Sequence, residues 1–162
     1  MNSTSLKTIK KLLLKYETRP SKGLGQNFLI DKNILEKIID SADIKPGDII
    51  LEVGPGIGIL TQELVKRAKK VIAIEKDKKM CQILKETLKE YKNVEIIQGD
   101  ILKTNTQHLT PNTYKVVANI PYYITAPLIR AFLENKNQPE LIVLMLQKEV
   151  AQRICAKPPH MS

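Results

Sequence analysis

The sequence predicts a doubly wound α/β sheet of mostly parallel strands, and three observations predict it. Five short apolar runs, DIILEV (48–53), VIAIE (71–75), VEIIQ (94–98), YKVVA (114–118) and LIVLML (141–146), alternate with segments of helical periodicity. The runs are apolar at nearly every position, not at every second one, which is the pattern of strands buried on both faces. The first run passes through the glycine-rich LEVGPGIG directly into a helical segment, the strand-to-helix turn at which such sheets are built.

The elements follow in order. Residues 4–16 place Leu6, Ile9, Leu12, Leu13 and Tyr16 at helical spacing with lysines on the other face, which predicts an amphipathic helix. After the loop RPSKGLGQNFLI, Asp31 is an N-cap for a second helix whose stripe is Ile34, Leu35, Ile38, Ile39 and Ala42. Pro46 and Gly47 end it. Between and after the five runs, helices are predicted over 58–68, 77–90, 125–134 and 147–155. In the loop before the second helix, Phe28 and Ile30 are expected in the core. The chain closes on CAKPPHMS, just after a helix. A sheet whose last strand is LIVLML is expected to leave an edge and an apolar face uncovered.

With 162 residues and 43% hydrophobic content, the chain is long enough for one domain with a real core. No apolar run reaches the length of a membrane span and no secretory signal opens the sequence, so the cytoplasm is the expected address. Cys81 and Cys155 are isolated thiols, and His108 and His160 lie far from them, so no disulfide framework or zinc site is expected. The formal charge of +9 favours a polyanionic partner, although many lysines are spread over separate helix faces. Lys7, Lys10, Lys11, Lys15, Arg19 and Lys22 have only Glu17 against them. Residues 1–22 are therefore expected to be a basic N-terminal arm with an amphipathic helix, and 23–162 the sheet domain.

Gly54, Gly56 and Gly58 let a ligand approach backbone where a Cβ would collide. An ordinary tight turn is the competing reading. Glu75 closes the second run 21 residues after Gly54, where an acid accepts hydrogen bonds from both hydroxyls of a ribose; a plain surface acid is its alternative. The position where a dinucleotide fingerprint wants its third glycine is Ile59, which argues against NAD and an oxidoreductase. A nucleoside without phosphates suits the spacing, and S-adenosylmethionine is the common one. Asp100, in the dipeptide GD after the third run, is placed to accept from an adenine amine, or else to cap a turn.

The stretch ANIPYYI (118–124) is harder to explain as a turn, because adjacent tyrosines are not turn residues. Adenine N6 is a poor nucleophile whose N–H groups need acceptors. The Asn119 side-chain oxygen and the Ile120 carbonyl, held outward by the rigid Pro121, supply two. Tyr122 is the candidate aromatic face for a base taken out of its stack, and Tyr123 is expected to turn into the protein under the loop. Two core tyrosines are the alternative.

LGQNFLID, LEVGPGIGILT, VIAIEKD, GDIL, ANIPYYITAPLI and LMLQKEVAQRI, in this order, resemble the adenine N6-dimethyltransferases of small-subunit ribosomal RNA, from about Lys22 to Ser162. The resemblance implies a Rossmann-like S-adenosylmethionine-dependent methyltransferase fold. It implies S-adenosylmethionine as donor, and dimethylation of two adjacent adenines in the 3′-terminal hairpin of the small-subunit (16S) RNA within an immature small subunit, by a monomer. Mapped onto this chain, donor binding falls on Asn27, Leu29, Gly54, Gly56, Glu75, Asp100 and Asn119, and catalysis on Asn119, Pro121 and Tyr122. Asn27 and Leu29 would cover the donor's methionine end. Family members continue with the last sheet strands, an aromatic-proline motif and a small helical domain, so the resemblance also implies a C-terminal truncation. The alternative function is a non-catalytic RNA-binding or ribosome-assembly factor on the same fold.

Overall fold

The computed structural model describes residues 5–19, 28–106, 113–120 and 122–156, with the backbone alone at Tyr122. Strands β1 (Ile49–Val53), β2 (Lys70–Glu75), β3 (Val94–Gln98), β4 (Lys115–Asn119) and β5 (Leu141–Met145) form one parallel sheet in the order β3-β2-β1-β4-β5. The order reverses between β1 and β4. A crevice opens there beyond the carboxyl ends of the strands, where ligands bind in sheets of this kind.

The apolar runs are continuous because the sheet is covered on both sides. On one face Ile50, Val71 and Val117 pack with residues of α1 (Leu6–Lys15), α2 (Lys32–Ala42), α3 (Ile59–Leu64) and α4 (Lys78–Thr87). On the other, Leu51, Val53, Ile72, Ile74, Val116 and Ala118 pack with Leu128 and Phe132 of α5 (Thr125–Leu133). The last helix, α6 (Lys148–Ile154), buries none of its residues.

Two helix starts follow from their caps. Asp31 accepts from the backbone N–H of Asn33 at 2.8 Å and of Ile34 at 3.2 Å, and Asp77 does the same for Lys79 at 2.7 Å and Met80 at 3.2 Å. Helix α3 is shorter than the predicted 58–68. The Asn93 side chain takes the carbonyls of Val65 (2.8 Å) and Ala68 (3.1 Å), so the chain turns there toward β2.

The predicted stripes need trimming. Leu6 and Ile34 are exposed, while Ile9, Leu12, Leu13, Leu35, Ile38, Ile39 and Ala42 are buried. Leu6 opens α1, and in the first turn of α2 Leu35 takes the buried face while Ile34 beside it is turned toward the surface. The basic helix α1 lies against the body: Ile9 and Leu13 enter the main core, and Lys15 pairs with Glu86 at 2.5 Å. Among the described residues no helix is long and apolar enough to cross a membrane, and no cluster of metal-ligating side chains occurs.

Candidate functional site

A cavity of about 350 Å³ opens at the carboxyl ends of β1, β2 and β4. Its rear wall is the turn after β1. Gly54, Gly56 and Gly58 all have positive φ (66°, 59° and 87°), which other L-residues adopt only with strain. A Cβ on Gly58 would stand 2.9 Å from Leu84 Cδ2, and one on Gly56 3.4 Å from the Phe28 ring. The turn is tied to the sheet by the Gly54 N–H, which donates to the Ile74 carbonyl at 2.9 Å.

Glu75 ends β2 and is buried. Its Oε2 accepts from the Gly56 N–H at 2.9 Å and its Oε1 from the Asp77 N–H at 2.8 Å. Burial raises its pKa, and these backbone donors work against the rise. Each oxygen keeps a further lone pair for a ligand. Asp100, after β3, receives Lys76 Nζ on Oδ2 at 3.0 Å and the Leu102 N–H on Oδ1 at 3.1 Å; the Lys76 ammonium holds its carboxyl below the usual range. Asn119 ends β4 and lines the same cavity.

The structure thus brings Leu29, Gly54, Gly56, Glu75, Asp100 and Asn119 around one space. Asn27 and Pro121 lie outside the described residues, as does the side chain of Tyr122. Two expectations are corrected. Tyr123 does not turn inward: it is 58% exposed and lines the cavity. Residues Tyr122–Ile124 form a 3-10 turn, in which successive side chains step round by about a third of a circle and do not alternate in and out as in a strand. Ile30 is 43% exposed and Leu29 is buried in its place, with Phe28 half-buried against the glycine turn. The segment enters α2 extended at Asp31, so the cap geometry decides which residue faces in.

Sequence reasoning missed Glu52, Thr61 and Lys76. Glu52 lies within β1, flanked by Leu51 and Val53, and is 1% exposed. An acid inside a run of buried apolar residues was the available signal. Burial pushes its pKa up to about 8; the nearby Thr61 hydroxyl moderates that rise and Glu75 adds to it. Neither Glu52 Oε2 nor Thr61 Oγ1 has a hydrogen-bond partner of acceptable geometry among the described residues.

Comparison with known proteins bears on this geometry. The family model "Ribosomal RNA adenine dimethylase" matches residues 18–162. Ribosomal RNA small subunit methyltransferase A of Alkaliphilus metalliredigens is 51% identical over 154 residues, 92% of this chain and 54% of that protein. Its namesake from Clostridioides difficile is 50% identical over 154 residues, 92% of this chain and 53% of that one. Among solved structures, a dimethyladenosine transferase from Plasmodium falciparum is 40% identical with a TM-score of 0.70, covering 81% of this chain and 47% of that one. The 23S rRNA methyltransferase ErmE is 33% identical with a TM-score of 0.72, covering 78% and 50%. The chain spans about half the length of the curated relatives it matches.

Proposed function

The chain belongs to the ribosomal RNA adenine dimethylase family, and on that premise we propose that it carries the donor-binding and catalytic part of an S-adenosylmethionine-dependent enzyme. The reaction is N6-dimethylation of two adjacent adenines in the 3′-terminal hairpin of small-subunit ribosomal RNA, within the maturing subunit. The observation that carries this reading is the cavity itself, where positive-φ glycines, two carboxylates and a carboxamide from four consecutive sheet positions converge. The fit to the donor is chemical as well as spatial: Glu75 has lone pairs left for ribose hydroxyls, and Asp100 for an adenine amine.

S-adenosylmethionine supplies a methyl group already activated on a sulfonium. The protein's work is then alignment and exclusion of water, which supply most of the acceleration of an in-line displacement. The Gly54–Gly58 backbone allows close approach, and Asn27 and Leu29 cover the donor's methionine end. The Asn119 side-chain oxygen and the Ile120 carbonyl accept the two N–H groups of the target N6, which favours a more tetrahedral and more nucleophilic nitrogen. Pro121 fixes that carbonyl, and the Tyr122 ring stacks on the extruded base, at roughly 1 to 3 kcal/mol per base. The N6 proton leaves to water after transfer. Residues 1–22 act as a basic arm against RNA phosphates and 23–162 as the donor domain, in a cytoplasmic monomer.

The test is incubation of undermethylated small subunits with methyl-labelled donor and this chain, alone and extended to the length of its relatives. Label recovered as N6,N6-dimethyladenosine is expected with the extended protein. No label in adenine rejects the proposal.

A further inference from the structure

Charge is unevenly spread over the molecule. Residues 5–19 and 77–92, about a fifth of the chain, hold ten of its 26 lysines and arginines but four of its 17 acids, so six of the nine net positive charges fall on these two segments. They carry α1 and α4, and the structure sets the two helices against each other. Ile9 and Leu13 of α1 share a core cluster with Met80 and Ile83 of α4. Nearer the surface, Glu86 of α4 accepts from Lys15 Nζ at 2.5 Å and from the Tyr16 hydroxyl, and Lys79 Nζ donates to the Glu17 carbonyl at 2.6 Å. The basic helix is thus pinned to the body at its C-terminal end.

Along α4, Lys78, Gln82 and Lys85 stand at i, i+4 and i+7 on one exposed stripe, and Lys89 follows just beyond; α1 adds Lys7, Lys10 and Lys11. All six lysines are exposed, and none is in an ion pair among the described residues. Elsewhere lysines are matched by acids, as Lys70 is with Glu95 at 2.7 Å and Lys115 with Asp48 at 2.7 Å. On the basic face two of the four acids are already engaged, Glu86 with α1 and Asp77 as the cap of α4. An uncompensated cationic strip of this kind draws a polyanion.

The chemistry favours a phosphate backbone over a lipid surface. The α1 stripe of Ile9, Leu12 and Leu13 is buried in the body, and of its apolar residues only Leu6 and Leu14 lie outside, so no continuous apolar face is left to enter a bilayer. The six cations are lysines, point charges that meet phosphate oxygens without reading base edges. Helix α4 starts three residues after Glu75, so the strip begins at the cavity and leads away from it.

We infer that the outer faces of α1 and α4 form one docking surface for the phosphates of the RNA stem beneath the target adenines, and that Glu86 is a positioning residue that holds the α1 half in place. This rests on the RNA reading given above and extends it: α4 belongs to the RNA surface as much as residues 1–22 do, and the helix of the basic arm is a fixed element of that surface. The strip supplies affinity and register on the stem, and the cavity supplies the choice of base. Because Glu86 acts through α1, its removal has an effect opposite to that of its charge. Loss of an acid beside RNA should by charge alone tighten binding, whereas loss of the Lys15 and Tyr16 contacts loosens the lysine face of α1.

Fluorescence anisotropy with a labelled synthetic RNA hairpin, two adjacent adenines in its loop, measures affinity of the chain across a range of salt concentrations. Two double variants remove the same charge from opposite faces of the sheet: Lys85→Gln with Lys89→Gln on the α4 side, and Arg130→Gln with Lys136→Gln on and just after α5. The first pair is expected to weaken binding roughly tenfold at 0.1 M salt and to lower the slope of log affinity against log salt by about 2, at about 0.9 per phosphate; the second leaves the slope unchanged. A blunt-ended RNA duplex without the loop shows the same difference, because the contacts are to phosphates. Glu86→Ala weakens hairpin binding severalfold and speeds amide exchange in α1. Equal losses from the two double variants, or no change from the first, overturn the α1–α4 surface, and tighter binding by Glu86→Ala overturns its positioning role. Binding to phosphatidylglycerol vesicles that exceeds hairpin binding and falls with the first pair assigns the face to lipid and overturns the proposal. Each of these results leaves the methyl-transfer reading standing; that reading fails separately, by absence of label in adenine.

Discussion

The sheet has two unlike halves. Around β1 and β2 nearly every residue is buried, with α3 and α4 seated firmly on one face and the glycine turn locked between Gly54, Ile74 and Glu75. At the other end every residue of β5 is only half-buried, and α6 buries nothing, with Ile154 52% exposed. The wall of the cavity built by the glycine turn and β2 therefore stands on its own packing. The side proposed to handle the target base is anchored by Leu128 and Phe132 of α5 but ends in β5 and α6, which rest on a thinner foundation.

Truncating one side chain in each half should expose that contrast most strongly. Leu84→Ala removes a fully buried side chain beneath the glycine turn and is expected to lower unfolding free energy by about 4 kcal/mol, whereas Leu144→Ala in β5 costs about 1 kcal/mol. Urea unfolding of both variants checks it, and equal losses would erase the distinction.

The next effect is in pH. Glu52 has a folded pKa raised from an ordinary 4.5 to about 8, so the native state binds more protons than the unfolded chain between those values. Its contribution is complete below about pH 4.5 and is lost as pH rises toward 8, by roughly 4 kcal/mol. Glu52→Gln should flatten that part of the stability–pH curve, measured by melts from pH 5 to 8.

A smaller effect belongs to Gly58. Gly58→Ala puts a Cβ at φ 87° and 2.9 Å from Leu84 Cδ2. With about 1 to 2 kcal/mol of backbone strain and some displacement of a flexible leucine tip, a loss of about 2 kcal/mol is expected in the same urea assay.

Much of this was legible in the sequence. The continuous apolar runs announced parallel strands, and Asp31 capped the predicted helix. LEVGPGIG, Glu75 and Asp100 marked three strand ends that the fold brings to one cavity. What escaped were choices that period alone does not settle. Whether Leu29 or Ile30 faces the core depends on dihedral angles at a helix entry, and the outward Tyr123 depends on a 3-10 turn that looks like an extended run in sequence. Glu52 escaped because a strand-period reading treats a lone acid as noise, whereas its orphaned oxygen appears only when neighbouring strands and Thr61 are in place.

Amide hydrogen exchange with and without S-adenosylmethionine tests whether the proposed donor sits against the glycine turn and β2. Slowed exchange is expected across Gly54–Ile59 and at Asp77, whose N–H is already bonded to Glu75, with β5 and α6 unchanged. Protection confined to β5 and α6, or none at the glycine turn, would contradict it.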